Sequence, residues 1–250
     1  MKMLIVSGEG AVFRRVAAEL RATIGDAEQV HLAVESMQGS PLHVLRDRVR
    51  RAGLLRGLDQ FFFKVCDVFV LRRREEAKAR RWLAGVGGVQ SIPGLDSPEG
   101  LAFLRSEAFD VVVCIATSIV PPAALAAARH GFVNIHPGVL PAYRGTGNLW
   151  AVCAGDWERV GYTVHWMTEK IDAGRIIARG AVDPVPATLW ELHVASLRAG
   201  AVALAALVRD GRLLTSVVDV AGERSCYQGW YGFGDYLRFL RRMRRRPHAI

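Results

Sequence analysis

DVVVCIATSIVPPAALAAARHGFVNIHP, residues 110–137, decides the fold. Val111–Ile115 is an unbroken apolar run rich in β-branched residues, the pattern of a strand buried on both faces. Pro121 and Pro122 open AALAAAR as a helix, since proline's fixed φ suits a first helical turn. Gly131–His136 then reads as the next strand. Strand, helix and strand in that order form a parallel pair with a crossover, the unit of an α/β sheet.

The same alternation extends towards the N-terminus. MLIV is a strand ending at the Gly8-Glu9-Gly10 turn, and AVFRRVAAELRATIG has helical spacing. VHLAVE reads as a second strand and GVQSI as a short one. Pro41 to Leu83 is helical in pattern and rich in Arg, Leu and Phe, too long for a simple crossover, and is read as a helical insertion. SPEGLAFLRSEAF is a helix with Ser97 as its N-cap. Towards the C-terminus, GYTVHWM alternates as a strand, and TEKIDAGRIIARGAV is a turn leading into another. TLWELHVASLRAGAVALAALVRDG is a long helix ended by Gly211, and RLLTSVVDV reads as one more strand. The remaining residues are aromatic, then basic. The expected architecture is an open, mostly parallel α/β sheet over residues 1–212 with a helical insertion at about 41–83, and a C-terminal extension over 213–250.

The totals narrow the functional classes. At 250 residues and 51% hydrophobic, the chain can fill one core. No stretch approaches the roughly 20 apolar residues that a membrane span needs. The N-terminus lacks the apolar core and cleavage site of a signal peptide, so the expected place is the cytoplasm. Cys66, Cys114, Cys153 and Cys226 are scattered without a CxxC, so no spacing encodes a metal or redox site. The net charge of +9 gathers in LRDRVRRAGLLRG…LRRREEAKARRW and RFLRRMRRR. Such clusters either attract anions or form a solvated face.

Ligands of open α/β sheets bind beyond the carboxyl ends of the strands. Asn134 and His136 stand two apart at such an end, so their side chains share a face. Pro137 and Pro141 keep the following loop out of helix and hold that pair on one target. Asp172 in EKIDAG supplies a carboxylate in a turn. An amide donor, an imidazole and a carboxylate suit acyl transfer: one stabilises an oxyanion, one manages a proton, one orients the imidazole. No Ser or Cys is poised as nucleophile, which favours direct transfer to an amine over an acyl-enzyme.

NIHPGVLPAYRG followed by GYTVHWMTEKIDAGRII resembles the signature of the folate-dependent formyltransferases. That family includes glycinamide ribonucleotide, methionyl-tRNA and amino-sugar formyltransferases. The resemblance covers about Asp110 to Ala181 closely and residues 1 to 212 in outline. It implies a Rossmann-like sheet of the formyltransferase type, with 10-formyltetrahydrofolate as formyl donor. It implies catalytic roles for Asn134, a protonated His136 and Asp172. Ser118, Ile119 and Val120 match the loop whose backbone grips the pterin, and Glu169, Lys170 and Ile171 would close its other side. His165 matches a family position and reads as a core or supporting histidine.

Departures from the family pattern bear on the acceptor. Glycinamide ribonucleotide enzymes hold a phosphate with a Ser-Asn after the first glycine loop; here Gly8-Glu9-Gly10-Ala11-Val12 stands there. Glu9 either meets a substrate amine or hydroxyl, or is a solvated turn residue. The tRNA enzymes carry a further barrel domain, for which the last 38 residues are too few. The acceptor expected is therefore a small amine, an amino sugar on a nucleotide or a natural-product precursor. Arg144 and Gly145 either hold the loop or reach an acceptor phosphate, and Gly138 replaces the family's usual Ser. A homodimer is compatible with the aromatic tail. Two other readings stand beside this one: a formyltetrahydrofolate hydrolase that has lost its acceptor, and RNA binding through the arginine clusters, which no RNA-binding motif accompanies.

Overall fold

The computed structural model describes residues 1–25, 29–36, 41–183 and 188–245. Five strands pair in parallel: β1 (Lys2–Ser7), β2 (Gln29–Glu35), β3 (Gln90–Ile92), β4 (Val111–Ile115) and β5 (Gly131–His136). Two strands numbered by chain order, β7 (Gly161–Trp166) and β8 (Ile176–Ala181), continue the sheet antiparallel, giving the order β3-β2-β1-β4-β5-β7-β8. The short β6 (Arg144–Gly145) pairs separately with β9 (Tyr227–Gln228). This is the Rossmann-like, mostly parallel sheet expected from the sequence.

The strand period of two divides the core. Met3, Ile5, Val111, Val113, Val133 and Ile135 face one side, under α1 (Ala11–Ile24) and α8 (Leu189–Arg209). Leu4, Val6, Val112, Cys114 and Phe132 face the other, towards α5 (Pro98–Glu107) and α6 (Pro122–Leu125). Ser97 caps α5 as read, accepting from Gly100 N–H at 3.0 Å. Burial pushes the Cys114 thiol up to about 12, which makes it the inert core thiol expected.

The insertion comprises α2 (Pro41–Ala52), α3 (Leu54–Cys66), a π-helical turn at Asp67–Leu71 and α4 (Arg73–Leu83). The chain ends in α9 (Phe233–Arg244), which packs on α7 (Asn148–Ala154) and on α3. Phe63 of α3 meets Tyr231, Phe233 and Tyr236 of the tail at ring distances of 5.2–5.3 Å. The basic run falls within and just after α9, with Arg246 and residues 247–250 outside the described residues.

Three expectations change. The proline-opened helix stops after Leu125, because the chain turns to enter β5: Arg129 and His130 N–H bond to Phe109 and Asp110 carbonyls. RLLTSVVDV is not a strand. Thr215 and Ser216 N–H fold back on Arg212, and a bond from Val218 N–H to Ile176 O touches the edge of β8. Among the described residues α8 is long and apolar enough, by length and composition, to cross a membrane, against the expectation that no stretch approaches that size. It is instead a core helix, packed on α1, β5, β7 and β8, and started by a capping box between Thr188 and Glu191.

Candidate active site

Asn134 and His136 leave β5 on the face that also carries Phe132. Asn134 is the cross-strand partner of His165 on β7, so the two side chains stand beside each other. The Asn134 amide Nδ2 lies 3.2 Å from His165 Nε2. His165 Nδ1 lies 3.0 Å from the Trp166 carbonyl, which places the ring proton there and leaves Nε2 to accept from Asn134. One N–H of the amide is thus anchored and the other remains to donate.

The turn between β7 and β8 folds back and brings Asp172 to both imidazoles. Asp172 Oδ2 is 3.6 Å from His136 Nδ1, and Oδ1 is 3.6 Å from His165 Nε2. Asp172 holds a left-handed φ of 50°, which a non-glycine residue adopts only when its surroundings hold it. The holders are visible: Gly145 N–H donates to Asp172 Oδ2 at 2.8 Å, and the Arg144 guanidinium donates twice to the Ile171 carbonyl at 2.9 and 2.5 Å. Arg144 and Gly145 therefore hold the loop.

Burial disfavours charge on His136 and pushes its pKa below the ordinary value; Asp172 opposes this, and His165 adds to it. His136 Nε2 sits 3.0 Å from the Tyr143 carbonyl, so that nitrogen carries a proton, and Nδ1 faces Asp172. Burial would also raise Asp172. The attraction of His136 and the hydrogen bond from Gly145 N–H, with His165 adding to them, outweigh it and hold the carboxyl at about 2. Burial thus opposes the protonated His136 that the resemblance implies, and the ionised Asp172 at 3.6 Å supports it.

Gly138 explains its own departure from the family's Ser. A β-carbon there would come within 2.8 Å of Gly147 Cα and 2.9 Å of His136 Nε2. The glycine lets the loop close on the imidazole.

The expected pterin loop is fixed from below by a residue that the sequence did not single out. Glu35, fully buried at the end of β2, accepts from Ser118 N–H at 2.8 Å and from the Ser118 hydroxyl. It also accepts from Leu95 N–H at 2.7 Å. Val120 is turned into the core, while Ile119 is 66% exposed. Across the site Glu169, Lys170 and Ile171 are exposed. Ile119 and Ile171 are the exposed apolar side chains of these two segments.

Glu9 lies exposed in the turn after β1. The carboxylate at the head of α1 is instead that of Glu76, from α4, which accepts from Ala11 N–H at 2.8 Å. A helix N-terminus is a natural anion site, and here the protein's own anion fills it. A cavity of ≈ 380 Å³ opens at the start of β5, lined by His130, Trp166, Met167 and Arg175. It lies at the opposite end of β5 from His136 and contributes nothing to the triad.

Residues 90–193 match the formyl transferase family. A methionyl-tRNA formyltransferase of Chlorobium chlorochromatii is 34% identical over 90 residues, covering 36% of this chain and 28% of the relative. A GDP-perosamine N-formyltransferase of Brucella melitensis is 43% identical over 61 residues, covering 24% of this chain and 23% of the relative. The chain thus spans under a third of the length of each of these two relatives. Among solved structures, a sugar N-formyltransferase from Shewanella aligns with a TM-score of 0.61 at 16% identity, over 97% of this chain and 88% of the other. A phosphoribosylglycinamide formyltransferase from Anaplasma phagocytophilum aligns at 0.53 with 22% identity, over 91% and 96%. The sheet order is thus that of the formyltransferase structures it aligns with, and residues 90–193, which hold both motifs, are similar to the formyl transferase family.

Proposed function

We propose that this protein transfers a formyl group from 10-formyltetrahydrofolate to the amine of a small acceptor, an amino sugar carried on a nucleotide or a natural-product precursor. The observation that carries the reading is the convergence of Asn134, His136 and Asp172, with His165 anchoring the amide. The folate supplies an electrophilic formyl carbonyl. The free N–H of Asn134 and the His136 ring stabilise the oxygen as the amine adds to that carbon. Asp172, ionised, draws the proton from the attacking nitrogen and stabilises charge on His136. As the bond from the formyl carbon to the folate nitrogen breaks, the proton passes to that nitrogen. Residues 1–212 form the catalytic unit, and 213–250 serve it by pairing β9 with β6, next to the residues that hold Asp172.

Two observations favour the acceptor class. Glu76 occupies the place where a ribonucleotide phosphate would sit at α1. The likeness to a GDP-perosamine N-formyltransferase points to an amino-sugar nucleotide. The test follows folate release from 10-formyltetrahydrofolate against a panel of amino-sugar nucleotides and small amines. Acceptor-dependent release that disappears in His136→Ala is expected. Equal release with and without amine would make the protein a hydrolase.

A further inference from the structure

The positive charge of this chain is concentrated. Residues 41–83 hold twelve Lys and Arg against five Asp and Glu, a net of +7, and residues 233–245 hold five Arg against one Asp, a net of +4. With a total of +9, the rest of the chain nets −2. The fold brings these two segments together. Arg56 of α3 pairs with Asp235 of α9 at 2.6 Å, Gln60 donates to the Trp230 carbonyl at 2.8 Å, and Phe233 N–H donates to Asp59 at 3.2 Å.

The same corner exposes apolar side chains. Leu55 is 83% exposed, Phe62 58% and Phe69 70%. Leu55 and Phe62, seven apart, share the side of α3 opposite the buried Gly57, Gln60 and Phe63, and Phe69 continues the exposed apolar run in the π-helical turn that follows. Across the α3–α9 contact, Trp230, Phe233 and Leu237 are 48%, 40% and 50% exposed. Arg73 and Arg74, directly after the π-helical turn, and Arg241 and Arg244 of α9 are exposed. Soluble surfaces scatter such residues singly; a grouped apolar stripe set among arginines is the composition of an interfacial helix.

We propose that this corner, the α3 stripe with the α9 face, docks on an anionic lipid surface. The apolar side chains enter the headgroup boundary while the guanidinium groups meet the lipid phosphates. Charge complementarity selects this occupant. A second copy seated on the same face would bring two strongly positive surfaces together. RNA would answer the charge and leave Leu55, Phe69 and Leu237 unsatisfied. The inference is independent of the transfer reaction, although β9 joins this corner to the loop that holds Asp172.

The experiment is co-sedimentation of the full chain with phosphatidylcholine vesicles, with and without about a third phosphatidylglycerol. Binding to the anionic vesicles alone is expected, weakening as salt rises. The combined variant Leu55→Asp, Phe62→Asp, Phe69→Asp is expected to lose at least about tenfold in partitioning, with an unchanged circular dichroism spectrum. An Arg73→Gln, Arg74→Gln variant, which leaves the apolar stripe intact, should show a smaller loss confined to low salt. Absence of binding to anionic vesicles overturns the proposal, as does equal binding by the stripe variant. A dimer in solution that the stripe variant dissolves assigns the face to a second copy instead, and steeply salt-dependent RNA binding without vesicle binding assigns it to nucleic acid.

Discussion

Glu35 and Asp172 are both carboxylates shielded from solvent on the same side of one sheet, and they have opposite fates. Glu35 is tied down: two backbone N–H groups and a hydroxyl converge on its oxygens. Asp172 receives a backbone N–H from Gly145 and faces two imidazoles at 3.6 Å, beyond hydrogen-bond length. Glu35 is engaged on both oxygens and serves as a rivet between the 94–95 turn and the 117–118 loop. Asp172 keeps room to take a proton. What surrounds a buried carboxylate, more than its burial, separates chemistry from construction.

Substitution should split the pair. Asp172→Asn is expected to lower turnover by about 10²–10⁴-fold with little change in the unfolding midpoint, read from kinetics beside a denaturation curve. If Asp172→Asn turned over normally, the comparison would collapse. Glu35→Ala leaves three donors without an acceptor and should cost about 2–4 kcal/mol of stability in urea unfolding, while the folate KM rises because Ser118 is loosened. Unchanged stability with lost activity would place Glu35 among the reacting groups.

Acid sharpens the contrast in another way. His193, packed 5.5 Å from the Trp190 ring, is held at about 4 by burial, then by the charges of His136 and Lys64. The unfolded chain takes up that proton near the ordinary 6.5, and the folded one only near 4. Between those values the unfolded state binds more protons, so stability is full above about 6.5 and falls as pH drops towards 4. The loss reaches roughly 3 kcal/mol, and His193→Gln should flatten it in midpoints measured across that range. Asp172 acts in a lower window: its stabilisation is present above its ordinary 3.8 and is lost as pH falls through about 2. The smallest effect is expected from Arg144→Lys, which exchanges a forked donor for a point charge on the Ile171 carbonyl. About a fivefold fall in kcat/KM should result, with the unfolding midpoint nearly unchanged.

Local pattern carried most of the sheet and the three central site residues. Val111–Ile115 and Gly131–His136 announced themselves by apolar runs, and Asn134 and His136 by their spacing. His165 stands as the supporting histidine expected, while its partner, Asn134, is set by the register between antiparallel strands, which the sequence does not print. Glu35 and Glu76 left no signal at all. Their bonds reach 83 residues to Ser118 and 65 residues to Ala11, and a single carboxylate at such a separation has no periodicity to read. The proline-opened helix failed for a related reason: alanine propensity yielded to the turn needed to feed β5.

The bond from Ala11 to Glu76 makes the insertion and the sheet a single heirloom. Trimming residues 41–83 to a plain connector would strip the first helix of its anion and leave an open positive end where, in other sheets of this kind, guests are received. A shortened chain would need a new carboxylate at that spot or would begin to collect phosphates. Grafting insertions between relatives therefore works only when both partners of this bond travel together.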